Sequence, residues 1–362
     1  MRGGDEIMNA TNRQRYAARI RAMAMAGPLS RLRGWGGVAA MAVACVLTAA
    51  FVLLPLHHVG EGPSGTGSQG VGNALPAIAP GAAACDEKAP EFSLGPDSGA
   101  GAKIGEINTR TDKPKGKLVV GIDQNSYLWG YRNPNTGALE GFDIDLATRI
   151  ADKIFGRDAE GKVNIVFRAV PTNQRIPMIK SGQVDVIVRT MTISCKRKAD
   201  VAFSTAYFKT GQQVLAPENS KITGFDASLE GKRLCVASGS TAQEALEGSK
   251  FGADKPLVVP NQLDCLVRLQ LGEVDGVITD SALGAGQAAQ DPTVQLKGDA
   301  PFTQEHYGIA MSNDPKAEDL VRRVNYELDE WRDDPDGWQK SYDKWLAARM
   351  GAAKPPAPKY SD

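Results

Sequence analysis

The chain has 362 residues, with 42 Lys and Arg balanced by 42 Asp and Glu, three His and five Cys. At 42% hydrophobic it can bury a substantial core, and its length suggests roughly two domains. A net charge of zero argues against a general nucleic-acid-binding surface, and His57, His58 and His306 are too few for a His-rich metal site or a paired-His mechanism. The zero is a sum over unlike parts. Residues 1–34 hold seven Arg against Asp5 and Glu6 and carry +5, so the remainder carries −5.

Residues 35–56, Trp35 to Leu56, form an uncharged run of 22. At a rise of about 1.5 Å per residue, a helix of that length crosses the hydrocarbon core of a bilayer. The positive-inside rule then puts the Arg-rich segment 1–34 in the cytoplasm and the rest outside. This predicts a single-pass signal anchor in the cell membrane. Cys45 loosely resembles a lipoprotein processing site, but it sits mid-run with Ala42 where such sites prefer Leu, so an uncleaved anchor is the favoured reading. Residues 57–84 follow as a linker; Val59 to Ala84 holds seven Gly, three Pro and one charge, too little apolar surface for a core. Residues 351–362 read as a disordered tail.

The body between them carries Cys85, Cys195, Cys235 and Cys265. An even count outside the membrane suggests two disulfides with three possible pairings. Cys235–Cys265 is preferred, because its closed loop of about 30 residues stabilises by roughly 3–4 kcal/mol in the chain-entropy model. That leaves Cys85–Cys195.

In chain order, Lys117 to Ile122 is a short apolar run and reads as a strand. Gly141 to Phe155 has apolar residues at helical spacing. Val163 to Val170 is a strand, Gln174 to Lys180 a helix, and Val184 to Val188 a strand. Such alternation predicts α/β layers with a largely parallel sheet. The segment Ser181 to Thr190 (SGQVDVIVRT) resembles Leu271 to Asp280 (LGEVDGVITD): in each a helix ends at Gly and x-Val-Asp leads into a buried strand. Each also follows a first strand, Leu118 to Ile122 and Arg233 to Ala237. Two related lobes are the simplest account, with ligands beyond the carboxyl ends of the strands.

Several side chains there suit an amino acid. Arg197, with Thr190 and Thr192, offers a guanidinium fork and hydroxyls for a carboxylate, against the alternative of a solvated basic turn. Gly239, Ser240 and Thr241 open a helix whose free N–H groups favour an anion, although Thr241 and Glu244 also fit a capping box. Asp280 is either an N-cap or the partner of an ammonium. Arg175 opens a helix, where positive charge sits poorly unless an anion is bound. Tyr127, Trp129 and Tyr131 either wall the ligand's stem or belong to ordinary core. Two carboxylates and one ammonium describe a short acidic amino acid.

From about Lys117 to Met350 the chain resembles the extracytoplasmic amino-acid-binding proteins of ABC importers, the polar amino-acid group, particularly the glutamate-binding branch of the actinobacterial type. The resemblance is carried by Leu118 to Asn125, Gly141 to Leu146, Asn173 to Asp185, Thr190 to Arg197, Ala202 to Tyr207, Gly272 to Asp280 and Trp338 to Leu346. It implies a two-lobed venus-flytrap, the periplasmic binding protein type II fold, with lobe 1 over residues 85–212, lobe 2 over 213–302 and a return to lobe 1 over 303–350. It further implies that Thr190, Thr192 and Arg197 hold the α-carboxylate and Asp280 the α-ammonium. Thr172 and Arg175 would hold a side-chain carboxylate, and Gly239 to Thr241 form the second-lobe loop. No cofactor is implied; the expected partners are an amino-acid ligand and ABC permease subunits, with the chain itself a monomer. One departure is Asp123, where some relatives that bind acidic amino acids carry a second basic residue, which leaves glutamate, aspartate and their amides open.

Two other readings compete: an amino-acid sensor signalling across the membrane, and a dehydratase-type enzyme on the same fold. The enzyme needs a proton-transfer group in the cleft. Only His306 is available in the body, and no nucleophile motif is present, so a binder is expected.

Overall fold

The computed structural model describes residues 85–251 and 256–361. The Arg-rich segment 1–34, the apolar run 35–56 with Cys45, and the linker 57–84 lie outside the described residues. No helix among the described residues is long and apolar enough to cross a membrane.

The chain enters lobe 1 through α1 (Ala102–Thr109), then β1 (Leu118–Ile122), a small ribbon of β2 (Asn125–Ser126), β3 (Gly130–Arg132) and β4 (Leu139–Glu140), and α2 (Phe142–Phe155). Next come β5 (Ile165–Ala169), a 3-10 turn Thr172–Gln174 running into α3 (Arg175–Lys180), β6 (Val186–Ile187), α4 (Cys195–Lys198), β7 (Ala202–Phe203) and β8 (Phe208–Thr210). Lobe 2 holds β9 (Gln212–Pro217), β10 (Leu234–Ala237), α5 (Thr241–Glu247), β11 (Leu257–Val259), α6 (Gln262–Gln270), β12 (Gly276–Asp280), α7 (Ser281–Gln290) and β13 (Val294–Lys297). The return comprises β14 (Glu305–Tyr307), β15 (Ala310–Met311), α8 (Glu318–Asp333), α9 (Trp338–Trp345) and α10 (Ala347–Met350).

The lobes share one plan. Lobe 1 orders its sheet β5-β1-β6-β15-β7, and lobe 2 orders its own β11-β10-β12-β9-β13. In each, three parallel strands carry a fourth that runs antiparallel. The sheets are therefore mixed rather than largely parallel, because one strand of each sheet is laid down as the chain crosses between lobes. Both faces of each sheet are covered by apolar clusters, which is why β1 and β12 are buried along their whole length.

The repeat seen in the sequence has a geometric counterpart. Gly182 and Gly272 take φ of 66° and 69°, the left-handed turn that ends a helix and that glycine adopts without strain. Three residues on, Asp185 accepts the backbone N–H of Val119 at 2.8 Å and Asp275 that of Arg233 at 2.8 Å. Each aspartate thus locks a helix end to the start of the parallel neighbour of the strand that follows it, β1 in lobe 1 and β10 in lobe 2.

Two crossings join the lobes. β8 runs into β9 across Gly211, and β13 returns through β14, which pairs antiparallel with β8. A Cβ on Gly211 would stand 1.9 Å from the Thr303 carbonyl oxygen, so only glycine lets the crossings lie side by side. Disulfides join Cys85 to Cys195 and Cys235 to Cys265.

The C-terminal tail differs from expectation. Ser93 N–H donates to Lys359 O at 3.0 Å and Ser361 N–H to Ser93 O at 2.9 Å, while the Tyr360 hydroxyl donates to Asp329 and Lys359 pairs with Glu91. Residues 351–361 are not a disordered tail but a strap over lobe 1. Residues 359–361 are held by an isolated parallel bridge between Tyr360 and Ser93, far away in sequence.

Candidate functional site

The carboxyl ends of β6, β10 and β12 and the start of α3 face one another across a small polar cavity. Lobe 1 contributes Arg175, Thr190, Thr192 and Arg197. Lobe 2 contributes Ser240, Thr241 and Asp280, with Gln262 and Thr279.

Two guanidiniums dominate. Arg197, from α4, donates to Thr192 O at 2.7 Å and across the cleft to Gly239 O at 3.2 Å. Arg175 donates to Thr172 O at 2.9 Å, Arg189 O at 3.5 Å and the same Gly239 O at 3.4 Å. Both are buried, at 6% and 3% exposure, and every acceptor they have is a neutral carbonyl. Burial pushes both pKa values down: Arg175 strongly, with repulsion from Arg197 and Arg189 added, and Arg197 against the opposing field of Glu244, Glu305 and Asp280. An arginine does not give up its proton under these conditions, so the shift expresses a demand for negative charge. Gly239 adopts φ +71°, and a Cβ there would stand 3.1 Å from the Asn173 Cα of the other lobe. That close approach aims its carbonyl at both arginines.

A third arginine, Arg189, was not foreseen. It is fully buried and pairs at 2.8 Å with Asp123, the residue that follows β1. It also donates to the Thr172 hydroxyl at 3.1 Å, which in turn donates to Gln262 at 3.3 Å in lobe 2. Thr172 is therefore a link between lobes behind the cavity and does not line it. Thr190 lies in the cavity wall with φ +41°, held by its N–H donating to Asp143 at 3.0 Å. Burial pushes Asp143 up to about 7, against hydrogen bonds from Tyr207 and Thr190.

The anionic side is built from Asp280 and Glu305. Asp280 stands at the N-cap position of α7 but its side chain caps nothing. It accepts instead from the Gln212 amide and the Tyr307 hydroxyl. Burial and the neighbouring Glu305 push it up to about 7, while Tyr307, Gln212 and Arg175 oppose the rise. Glu305 accepts from Thr192 at 2.6 Å and Thr241 at 3.0 Å on one oxygen, and from Thr303 at 3.2 Å on the other.

The capping box expected at Thr241 and Glu244 does not form. Ser240 is the N-cap, accepting from Gln243 N–H at 3.1 Å, and its hydroxyl proton goes to Ala237 O at 2.6 Å. The Gly239 N–H is taken by the Gln243 side chain at 2.8 Å, so that amide does not serve an anion. One residue of shift frees Thr241 to face the cleft. Trp129 is likewise not a cavity wall: it is fully buried, packs edge-on against Phe142, Phe208 and Tyr307, and donates to Ala282 O of lobe 2 at 3.0 Å. Tyr127 lines a smaller neighbouring space with Leu263 and Leu283, outside the arginine cavity.

Gln212, Glu305 and Tyr307 all come from the crossing strands. The available signal was the period of two, which puts Glu305 and Tyr307 on one face of β14 beside the cleft.

A two-lobed α/β body that closes on a polar interlobe cavity defines a solute-binding protein of the venus-flytrap class. Residues 118–348 match the model of the bacterial extracellular solute-binding proteins, family 3, and the chain belongs to that family. It is 35% identical over 234 residues to the ABC transporter glutamine-binding protein GlnH of Bacillus subtilis (strain 168), covering 65% of this chain and 82% of that one. To the glutamate-binding protein GluB of Corynebacterium efficiens it is 28% identical over 205 residues, covering 55% and 69%. Among solved structures, an ancestral arginine-binding protein bound to arginine superposes with a TM-score of 0.57 at 33% identity, covering 65% of this chain and all of that one.

Proposed function

We propose that this protein captures an acidic α-amino acid, L-glutamate or its close relatives, outside the membrane and delivers it to an ABC permease. The observation that carries the reading is the pair Arg175 and Arg197: two buried guanidiniums, side by side, with only neutral acceptors. A single carboxylate would neutralise one of them; a dicarboxylate neutralises both, and buried charges are retained only when so paired. Asp280 supplies the counter-charge for an ammonium. The first lobe holds the cations and would bind first. The second would close with Asp280 and Thr241, a shift in population whose size equals the ligand's preference for the closed state.

The relatives favour a second reading. Two relatives above 30% identity, from Bacillus subtilis and Geobacillus stearothermophilus, are glutamine-binding proteins. With an amide ligand the α-carboxylate alone would face both arginines.

In this reading the apolar run 35–56 tethers the chain to the membrane, and the linker 57–84 lets the body reach its permease. Calorimetry of the full chain in detergent with L-glutamate, L-aspartate, L-glutamine and L-asparagine separates the readings. Tightest binding of glutamate is expected; tightest binding of glutamine selects the second reading, and no heat with any of the four sinks both. Membrane tethering is checked by fractionation: recovery of the full chain in the soluble fraction without detergent would refute it.

A further inference from the structure

The return crossing carries a carboxylate that the amino-acid reading leaves without a task. Glu305 is buried at 8% exposure, and a single one of its oxygens accepts the hydroxyls of Thr192 from lobe 1 and Thr241 from lobe 2. A threonine hydroxyl has one proton. With both protons committed to Glu305, what Thr192 and Thr241 present to the cavity they line is lone pairs. Thr241 uses one of these on the Gln212 amide at 3.0 Å, and the same amide donates to Asp280. Acceptor oxygens beside a carboxylate are what a positively charged donor requires, and they repel a carboxylate. This reverses the role that sequence alone suggests for Thr192.

Resting on the proposal that the cleft takes an amino acid, we infer that Glu305 is a positioning residue for the ligand's ammonium. It orients the Thr192 and Thr241 hydroxyls as acceptors, and its charge adds to the burial that keeps a proton on Asp280 until the ammonium displaces it. In that exchange no covalent bond to carbon changes. The carboxyl O–H of Asp280 breaks, its proton leaves to buffer, and the arriving –NH3+ donates to the carboxylate left behind.

The surroundings of Asp280 fit this. Glu305 lies on one side, Gln212 and Tyr307 donate to it from the crossings, and Arg175 and Arg197 are the cations within its field. Tyr207 stands behind Tyr307, and Glu244 faces Arg197 from α5. Lys209 and His306, paired across the β8–β14 ladder, occupy neighbouring register positions with side chains that alternate away from Glu305 and Tyr307. With Asp280 pushed up to about 7, the unliganded cleft carries the proton below that pH and has lost it above. Ligand affinity therefore rises with pH up to about 7 and is flat beyond, because the liganded state needs the ionised carboxylate.

The test is calorimetry of the full chain with L-glutamate, or with L-glutamine if that binds more tightly, at pH 6, 7 and 8. Buffers of different ionisation heat give the protons released. The wild type is expected to release nearly one proton at pH 6 and almost none at pH 8, with affinity about tenfold weaker at pH 6 than at pH 8. Glu305→Gln should move that pH profile to lower pH and reduce the release at pH 6, leaving the part that burial alone sustains. It should also weaken glutamate at least about tenfold at pH 8, while leaving glutarate, which lacks the ammonium, unchanged. Glu305→Asp should restore part of the release. Thr192→Val should weaken glutamate but not glutarate. Absence of proton release from the wild type at pH 6 overturns the inference, as does a Glu305→Gln variant that weakens both ligands equally and keeps the wild-type release. Failure of all amino acids to bind at pH 8 instead removes the functional reading beneath it.

Discussion

Asp185 and Asp275 occupy the same place in the two lobes and do unequal work. Both follow a left-handed glycine, and both accept a backbone N–H at the start of a neighbouring parallel strand. Asp185, however, is 1% exposed in its side chain and pairs with Arg110, itself 2% exposed, at 2.6 Å, with Lys113 at 3.2 Å. Burial raises the pKa of Asp185, but Arg110 and the Val119 N–H more than offset it, holding the carboxyl below its ordinary value. Asp275 meets Arg233 in solvent, at 34% and 58% exposure. A shared motif thus specifies the same backbone lock twice, whereas the strength of the lock depends on what covers it. Lobe 1 is covered by α1, α8 and α9, and lobe 2 is not.

The sharpest test of that contrast is Asp185→Ala, which leaves Arg110 buried and uncompensated. A loss of about 3–5 kcal/mol is expected in urea-induced unfolding. Since the folded-state pKa of Asp185 is depressed, this stabilisation is present above its unfolded value near 3.8 and disappears as pH falls through the lower folded one. Next in size, removing Cys235–Cys265 as a Ser pair should cost lobe 2 roughly 3–4 kcal/mol for its closed loop. Equal unfolding midpoints before and after reduction would contradict it.

Ligand binding divides between the lobes in another way, with cations in lobe 1 and Asp280 in lobe 2. Arg197→Ala should weaken glutamate by about 2–5 kcal/mol, because it leaves a buried carboxylate unpaired. Calorimetry showing a neutral change would put the carboxylate elsewhere. Gly286→Ala tests closure alone. A Cβ there would stand 2.6 Å from the Tyr127 carbonyl oxygen of the opposite lobe. Affinity should fall about tenfold or more, while thermal stability of the unliganded protein holds or rises by up to about 1 kcal/mol from the better helix former. A variant that loses stability and keeps affinity would mean the two backbones do not meet on closure. Asp275→Ala should have the smallest effect, under about a fifth of that of Asp185→Ala, since exposed pairs contribute little. Equal effects in the two lobes would break the comparison.

Much of this was legible from residue order. Alternating apolar periodicity located β1, α2, β5, α3 and β6 to within about two residues, since buried parallel strands and amphipathic helices leave distinct periods. Arg175, Arg197 and Asp280 stood out because charge beside a strand end or helix start has few structural uses. Trp129 was ambiguous for the opposite reason, as core and ligand walls use the same side chains. The strap at 359–361 and the partner of Ser93 were invisible, because pairing across more than two hundred residues leaves no local trace.

The sequence by itself therefore determined the two-lobed plan, the duplicated Gly-x-Val-Asp lock and the identity of the charged groups at the cleft. Those follow from local periodicity and from chemistry that each residue carries wherever it sits. Only the tertiary structure decided which atoms those groups meet. It showed that Arg175 and Arg197 share one carbonyl and, among the described residues, hydrogen-bond to no carboxylate, that Thr241 is freed because Ser240 caps the helix, and that Glu305 reaches hydroxyls of both lobes. The direction of a hydroxyl proton and the depth of a salt bridge are properties of packing, and packing joins residues that the chain keeps far apart.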